Sequence, residues 1–310
     1  MQLHQRDFSG EADKQAMIAL ARACRTGALH GVDLPYRLSS WALDEPSNVA
    51  LWFNFENHLV AWVVLQAPFW MIDYVCRPDV EETLHRQIVA WADKRAYAIV
   101  GMPHGHPSWF VSVFADQATR ILDLEEAGFV SQADMAVDAW SKVLMRRPAS
   151  MPVESCLLPT GFVIRPLAGA GEVEAYVALH RDVFLTKNMT PEWRARVLRC
   201  PEYTPDLDLV AVAPDGRLAA FCVGWLDKTD AANIAGQIEP LGVHADFRSL
   251  GLGRAILSEC LRRLHRYGVE GVYVETDKYC NAALGVYEAV GFRTIRDVLV
   301  YGKDYDENGD

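Results

Sequence analysis

The chain has 310 residues, 51% of them hydrophobic and 23% charged, and its formal net charge is −11. That length allows about two domains, and the composition is that of a globular protein with ample core. Both halves carry more acidic than basic residues, which argues against a nucleic-acid binder, since such proteins present a basic face. No apolar run reaches membrane-spanning length; Leu59 to Trp70 is broken by Gln66 and Pro68. The seven cysteines are scattered and lack C-x-x-C spacing. They point to a reducing compartment, with neither a disulfide framework nor a zinc site. The first residues, Met1 to Asp7, hold no apolar signal core, so a cytoplasmic protein is expected, without membrane or nucleic-acid partners.

In chain order, a helix is expected after Ser9-Gly10, with Ala16, Met17, Leu20, Ala21 and Cys24 on one stripe. Runs Val49–Phe55 and Leu59–Leu65, joined by Glu56-Asn57-His58, read as a hairpin. Phe69–Val75 reads as a further strand. The next helix carries Leu84, Ile88 and Trp91, and Ala96–Val100 is expected to be a short buried strand. His104-Gly105-His106 has a metal-like spacing but no third ligand. Asp116–Glu126 reads as a helix and the region from Phe129 through Met145 as strand.

Pro148, Pro152 and Pro159 mark a linker over Arg147–Gly161. Beyond it come a strand at Phe162–Ile164, a helix at Ala170–Phe184, and a helix start at Thr190-Pro191. Strands follow at Leu207–Val212 and Leu218–Trp225, with Pro214-Asp215-Gly216 turning between them. Ile238–Val243 is a strand leading to a long helix with Leu257, Cys260, Leu261 and Leu264 on its apolar stripe. Val272–Thr276 is a strand, Asn281–Val290 a helix, Phe292–Tyr301 a closing strand, and Asp304–Asp310 a polar tail expected to fray. The element order of the first half recurs in the second. Glu125–Phe129 echoes Glu288–Phe292, and Pro78-Asp79 echoes Ala245-Asp246. A tandem duplication is therefore expected, with domains 1–148 and 149–310.

The stretch Val243 to Arg254 is the most informative. A strand runs into a short loop bearing Gly251 and Gly253, and the loop opens into a helix. Such a loop aims several backbone N–H groups at one point, with the positive end of a helix dipole behind them. Glycines let a phosphate reach the backbone, and Arg248 and Arg254 add positive charge at the rim. The spacing is neither G-x-G-x-x-G nor a P-loop. Arg248-x-x-Gly251-x-Gly253, with Asn281, Tyr287 and Gly291-Phe292 downstream, resembles the paired motifs of the GNAT N-acetyltransferase superfamily, in its tandem, mycothiol synthase-like form.

The resemblance implies an α/β (α+β) fold of two tandem GNAT domains, each a mixed, mostly antiparallel sheet flanked by helices. It implies acetyl-CoA as co-substrate and a small-molecule primary amine as acceptor, with direct transfer in a ternary complex. By the same resemblance Tyr287 would protonate the departing thiolate, and Glu239 is the candidate base. Asp277 and Glu275 stand in reserve. The coenzyme would be held by Leu241, Gly242, Val243, Arg248, Ser249, Leu250, Gly251, Leu252, Gly253, Arg254 and Asn281. For Asn281, helix capping is an equally good reading, and period-two alternation leaves Glu239 free to face solvent. Pro240 and Gly242 hint at a bulge or a close backbone approach. Cys280 reads as an ordinary thiol. In the first half, Glu81-Glu82-Thr83-Leu84-His85-Arg86 replaces the glycine loop, so only the second domain is expected to bind the coenzyme. A non-catalytic acyl-CoA sensor and an interaction scaffold are the alternatives, and a homodimer is compatible with the sequence.

Overall fold

The computed structural model describes residues 3–133, 135, 139–154 and 156–305. Part of the expected strand region between Phe129 and Met145 (residues 134 and 136–138) and the tail from 306 lie outside them. Two compact units emerge: Met1–Val143 with Asp277–Tyr279 and Arg296–Asp310, and Leu144–Thr276 with Cys280–Ile295.

The first unit contains β1 (His4–Asp7), α1 (Glu11–Ala23), the short α2 (Leu34–Arg37), β2 (Val49–Phe53), β3 (Leu59–Gln66), β4 (Met71–Cys76), α3 (Glu81–Ala98), β5 (Ser108–Phe114), α4 (Ala118–Glu126) and β6 (Val130–Ser131). β7 (Ser141–Pro148) runs out of it into the second unit. β1 to β4 pair antiparallel in sequence order, while β4 and β5 are parallel and meet only at Met71↔Phe110. The expected strand Ala96–Val100 is instead the end of α3 and the turn after it. The stripe Leu84, Ile88, Ala92, Ala96, Ile99 is buried at three- and four-residue steps, so helical period wins over a short apolar run. The strand that fills this place in the order is β5. His106 is occupied structurally, its Nδ1 lying 2.6 Å from the Ser108 carbonyl and its ring stacked on Trp70.

The second unit continues with β8 (Val163–Pro166), α5 (Val173–Phe184), α6 (Pro191–Arg199), β9 (Asp208–Val212), β10 (Leu218–Asp227), β11 (Ala235–Val243), α7 (Leu252–Arg266), β12 (Gly271–Asp277) and α8 (Asn281–Ala289). The last strand, β13 (Arg293–Asp304), begins here, and its later residues pair antiparallel with β5 in the first unit's share of the chain. β8, β9, β10 and β11 are antiparallel neighbours, and β11 pairs parallel with β12. Thr190 caps α6 by accepting the Trp193 amide at 3.0 Å, as expected for threonine before a first-turn proline. α7 buries Leu252, Ala255, Ile256, Leu257, Cys260, Leu261 and Leu264. It lies close on the sheet because Gly224 and Gly236 are glycines: a Cβ on Gly224 would stand 3.0 Å from Cys260 Sγ, and one on Gly236 3.3 Å from Leu264 Cδ2. Each unit is thus a mixed, mostly antiparallel sheet flanked by helices.

Candidate active site

The site begins where two parallel strands separate. β11 and β12 are paired at Ala235↔Gly271, Gly236↔Val272 and Gln237↔Tyr273, and no further. β11 runs on to Val243 with its other edge still bonded to β10 through Leu241↔Cys222, Gly242↔Phe221 and Val243↔Ala220. The His244 amide donates to Ala219 O at 2.9 Å. By the alternation of an antiparallel ladder, the Gly242 amide faces β10 too, while the amides of Leu241 and Val243 point to the edge that β12 has left.

Between Cys222 and Gly224 the register slips, so that Glu239 and Pro240 together oppose Val223. This is a β-bulge, which bends a strand and re-aims its side chains. The Glu239 carbonyl is fixed by Trp225 Nε1–H at 2.7 Å. Gly242 is a close-approach position: a Cβ there would lie 2.5 Å from Phe221 Cζ and 2.6 Å from Val183 Cγ1.

The loop after β11 turns sharply into α7. Ser249 and Gly251 are left-handed, with φ +63° and +79°. For serine that conformation costs about 1–3 kcal/mol, and such strain tends to be kept where it serves a site. Ala255 N–H bonds the Gly251 carbonyl at 3.0 Å. The amides of Ser249, Leu250, Gly251, Leu252, Gly253 and Arg254 have no acceptor among the described residues. A helix leaves its first turn of amides unpaired; here the left-handed loop lengthens that run. Added to the dipole of a 15-residue helix, it makes an anion cradle. Arg248 Nε reaches the Val243 carbonyl at 3.4 Å, and Arg254 pairs with Glu154 at 3.1 Å. Both partners of that second pair are well exposed, so it holds Arg254 weakly.

A cavity of about 570 Å³ joins these parts. It is lined by Leu241, Gly242 and Val243 of β11, by the Arg248–Arg254 loop apart from Leu250, and by Ala283, Val286 and Tyr287 of α8. Tyr287 is 7% exposed; its hydroxyl makes no hydrogen bond among the described residues. Burial, and then the nearby negative charge of Glu239, push its ionisation far above the ordinary phenol range. At neutral pH it holds its proton and is a donor.

Of the residues expected from sequence, Leu241, Gly242, Val243, Arg248, Ser249, Gly251, Leu252, Gly253, Arg254 and Tyr287 line this one cavity. Leu250 points outward and is 46% exposed, though its amide belongs to the cradle. Glu239 is half-buried in the bulge and outside the lining. Asn281 is the first residue of α8 and exposed; the N-cap is Cys280, so Asn281 does not cap the helix. Of the reserve carboxylates, Asp277 accepts the Tyr279 amide at 2.7 Å, and Glu275 sits half-buried on β12. Val183, Phe247, Cys280, Ala282, Ala283 and Val286 also line the cavity and were not foreseen. The signal for Cys280 was its place at the start of the helix that carries Tyr287.

Residues 174–292 match the acetyltransferase (GNAT) family. The curated relatives include mycothiol acetyltransferases from Salinispora arenicola, 30% identical over 172 residues, and from Streptomyces avermitilis, 29% identical over 161. The first match takes in 52% of this chain and 56% of the relative, so the chain spans about half the length of the curated relatives it matches. Among solved structures, a GCN5-related N-acetyltransferase from Sphaerobacter thermophilus superposes with a TM-score of 0.67 over 99% of this chain and 97% of that one, at 18% identity. A tandem GNAT protein from the clavulanic acid biosynthesis pathway gives 0.66 over 99% and 100%, at 12% identity. Along its whole length the chain has the fold of tandem GNAT structures, and within its second half residues 174–292 match the acetyltransferase (GNAT) family.

Proposed function

We propose that the second unit binds acetyl-CoA and passes its acetyl group to the primary amine of a small molecule, by direct attack within a ternary complex. The observation that carries this reading is the run of six amides from Ser249 to Arg254 without an acceptor among the described residues, on a loop that lines the same cavity as Tyr287. The amides and Arg248 take the diphosphate. The outward amides of Leu241 and Val243 bond the pantetheine arm as an added strand would, and one of them polarises the thioester carbonyl. Tyr287 supplies a proton to the departing thiolate. Glu239 draws the proton from the incoming ammonium, directly or through a water. No covalent enzyme intermediate is required.

Calorimetry with coenzyme A tests the site. A Cβ at Gly253 meets only ordinary contacts, the nearest at 3.4 Å from Val243 Cγ2, so Gly253→Glu should fold while placing a carboxylate in the cradle. Wild type is expected to bind and the variant not to. Equal affinity in a folded Gly253→Glu protein would move the coenzyme elsewhere and end the proposal. Thiol release across amino acids, amino sugars, polyamines and aminoglycosides then identifies the acceptor class. The overall charge of −11 predicts that cationic amines turn over better at low salt.

A further inference from the structure

Cys280 stands apart from the other described thiols. Cys24, Cys76, Cys200, Cys222 and Cys260 are buried, and Cys156 is half-buried with its Sγ 3.3 Å from Ser258 Oγ. Cys280 is exposed, and it lines the cavity together with Ala282, Ala283 and Tyr287. Tyr287 is the second observation that points to a ligand here. It is more than nine-tenths buried, and its unpartnered hydroxyl belongs to the same cavity.

We infer that Cys280 is a modification site, at which the disulfide of the coenzyme exchanges with the protein thiol and locks one coenzyme into the cavity. The inference rests on the proposed cofactor site. If the cradle holds the diphosphate and the arm lies along β11, the sulfur end of the bound molecule and Cys280 share one cavity. Transition from non-covalent to covalent attachment then gains from high effective concentration.

The chemistry balances without an added oxidant. The Cys280 thiolate attacks one sulfur of the symmetric coenzyme A disulfide. A new S–S bond forms between Cys280 and one coenzyme, the old S–S bond breaks, and the second coenzyme leaves as thiolate, which takes up the proton that Cys280 released. A dithiol reverses the exchange. While the adduct stands, the acyl donor is shut out, so the enzyme stops when the coenzyme pool becomes oxidised.

The test incubates the whole chain with coenzyme A disulfide and reads the intact mass. One coenzyme adduct is expected on wild type and on Cys156→Ser, none on Cys280→Ser, and dithiothreitol should remove it. Excess desulfo-coenzyme A, which lacks a thiol but keeps the diphosphate, should slow labelling on the order of tenfold by mass action. Oxidised glutathione should label far more slowly. Labelling of Cys280 at the same rate by both disulfides, and without competition, would mean an exposed thiol with no directing site and would overturn the inference. So would absence of the adduct. Calorimetry of Cys280→Ser with coenzyme A separates the two levels. Retained binding leaves the cofactor site standing even if no adduct forms; lost binding in wild type and variant alike removes both.

Discussion

Tyr287 carries the sharpest single-residue expectation. Its ring is packed against Phe292 with centroids 5.7 Å apart, so removing the hydroxyl leaves the packing intact. Because its ionisation is displaced upward by burial and by Glu239, the phenol keeps its proton at neutral pH, as the proposed role of donor to the thiolate requires. Tyr287→Phe should therefore lower turnover on the order of 100-fold, the usual scale for a lost general acid, and leave coenzyme A affinity unchanged in calorimetry. A fall in affinity with normal turnover would assign the hydroxyl to binding instead. His180 makes a second prediction, about stability. It is 6% exposed, stacked on Phe221 at 5.7 Å, and burial, helped by Arg194 and Arg181, lowers its pKa to about 3 from 6.5. Between those values the unfolded chain holds a proton that the folded chain refuses, so folding stability falls as pH drops from 6.5 toward 3. The slope from this one group is about 1.4 kcal/mol per pH unit. His180→Phe keeps a ring against Phe221 and should flatten that part of the pH profile of the urea midpoint. An unchanged profile would show that other groups set it.

At the scale of the element, β11 does most of the positioning, through backbone more than side chain. Gly242 lets Phe221 and Val183 lie flush against the strand. Gly242→Ala forces both to move, and overpacking of that kind costs about 1–3 kcal/mol. Phe221→Leu in the same protein should recover part of the loss, a coupling that a double-mutant cycle in urea would measure; strict additivity would place the strain elsewhere. This also explains what could be read in advance. The cradle was legible because backbone amides need only glycines and a helix start, and both are visible as letters. The orientation of Glu239 was not, because period-two counting fails across a bulge, and the bulge is defined by the partner strand, Cys222 to Gly224. β5 was legible in principle: Trp109, Val111 and Val113 are buried and alternate with half-buried Ser108, Phe110 and Ser112. The apolar run at Ala96–Val100 drew the assignment instead, and five such residues do not distinguish strand from helix end.

Across the whole molecule, both units repeat one plan. Antiparallel strands lead to a parallel pair that separates early, after Met71↔Phe110 in one and Gln237↔Tyr273 in the other. A helix follows the first strand of each pair, α3 or α7. The difference lies in what occupies the gap. α3 opens with Glu81 and Glu82, and Arg120 of α4, 7% exposed, closes on Glu81 at 2.6 Å and on the Gly27 carbonyl at 3.1 Å. The space left beside them is about 40 Å³, room for ordered water and little more. No glycine starts α3, and its acidic first turn repels a diphosphate while suiting the helix dipole. Sequence showed those carboxylates, but not that an arginine from another helix would fill the gap, since burial of Arg120 depends on the fold.

The consequence is a stoichiometry. Calorimetric titration of the full chain with coenzyme A should give one site per chain, and Gly253→Glu should leave none. Deleting the carboxylate with Glu81→Gln strands the Arg120 guanidinium in a buried place, which lowers stability, yet it should create no second site because the cavity stays too small. Two sites in wild type, or one surviving in Gly253→Glu, would give the first unit a binding role that its acidic helix start and filled gap argue against. The titration thus decides between a duplicated enzyme and a duplicated fold with one working copy.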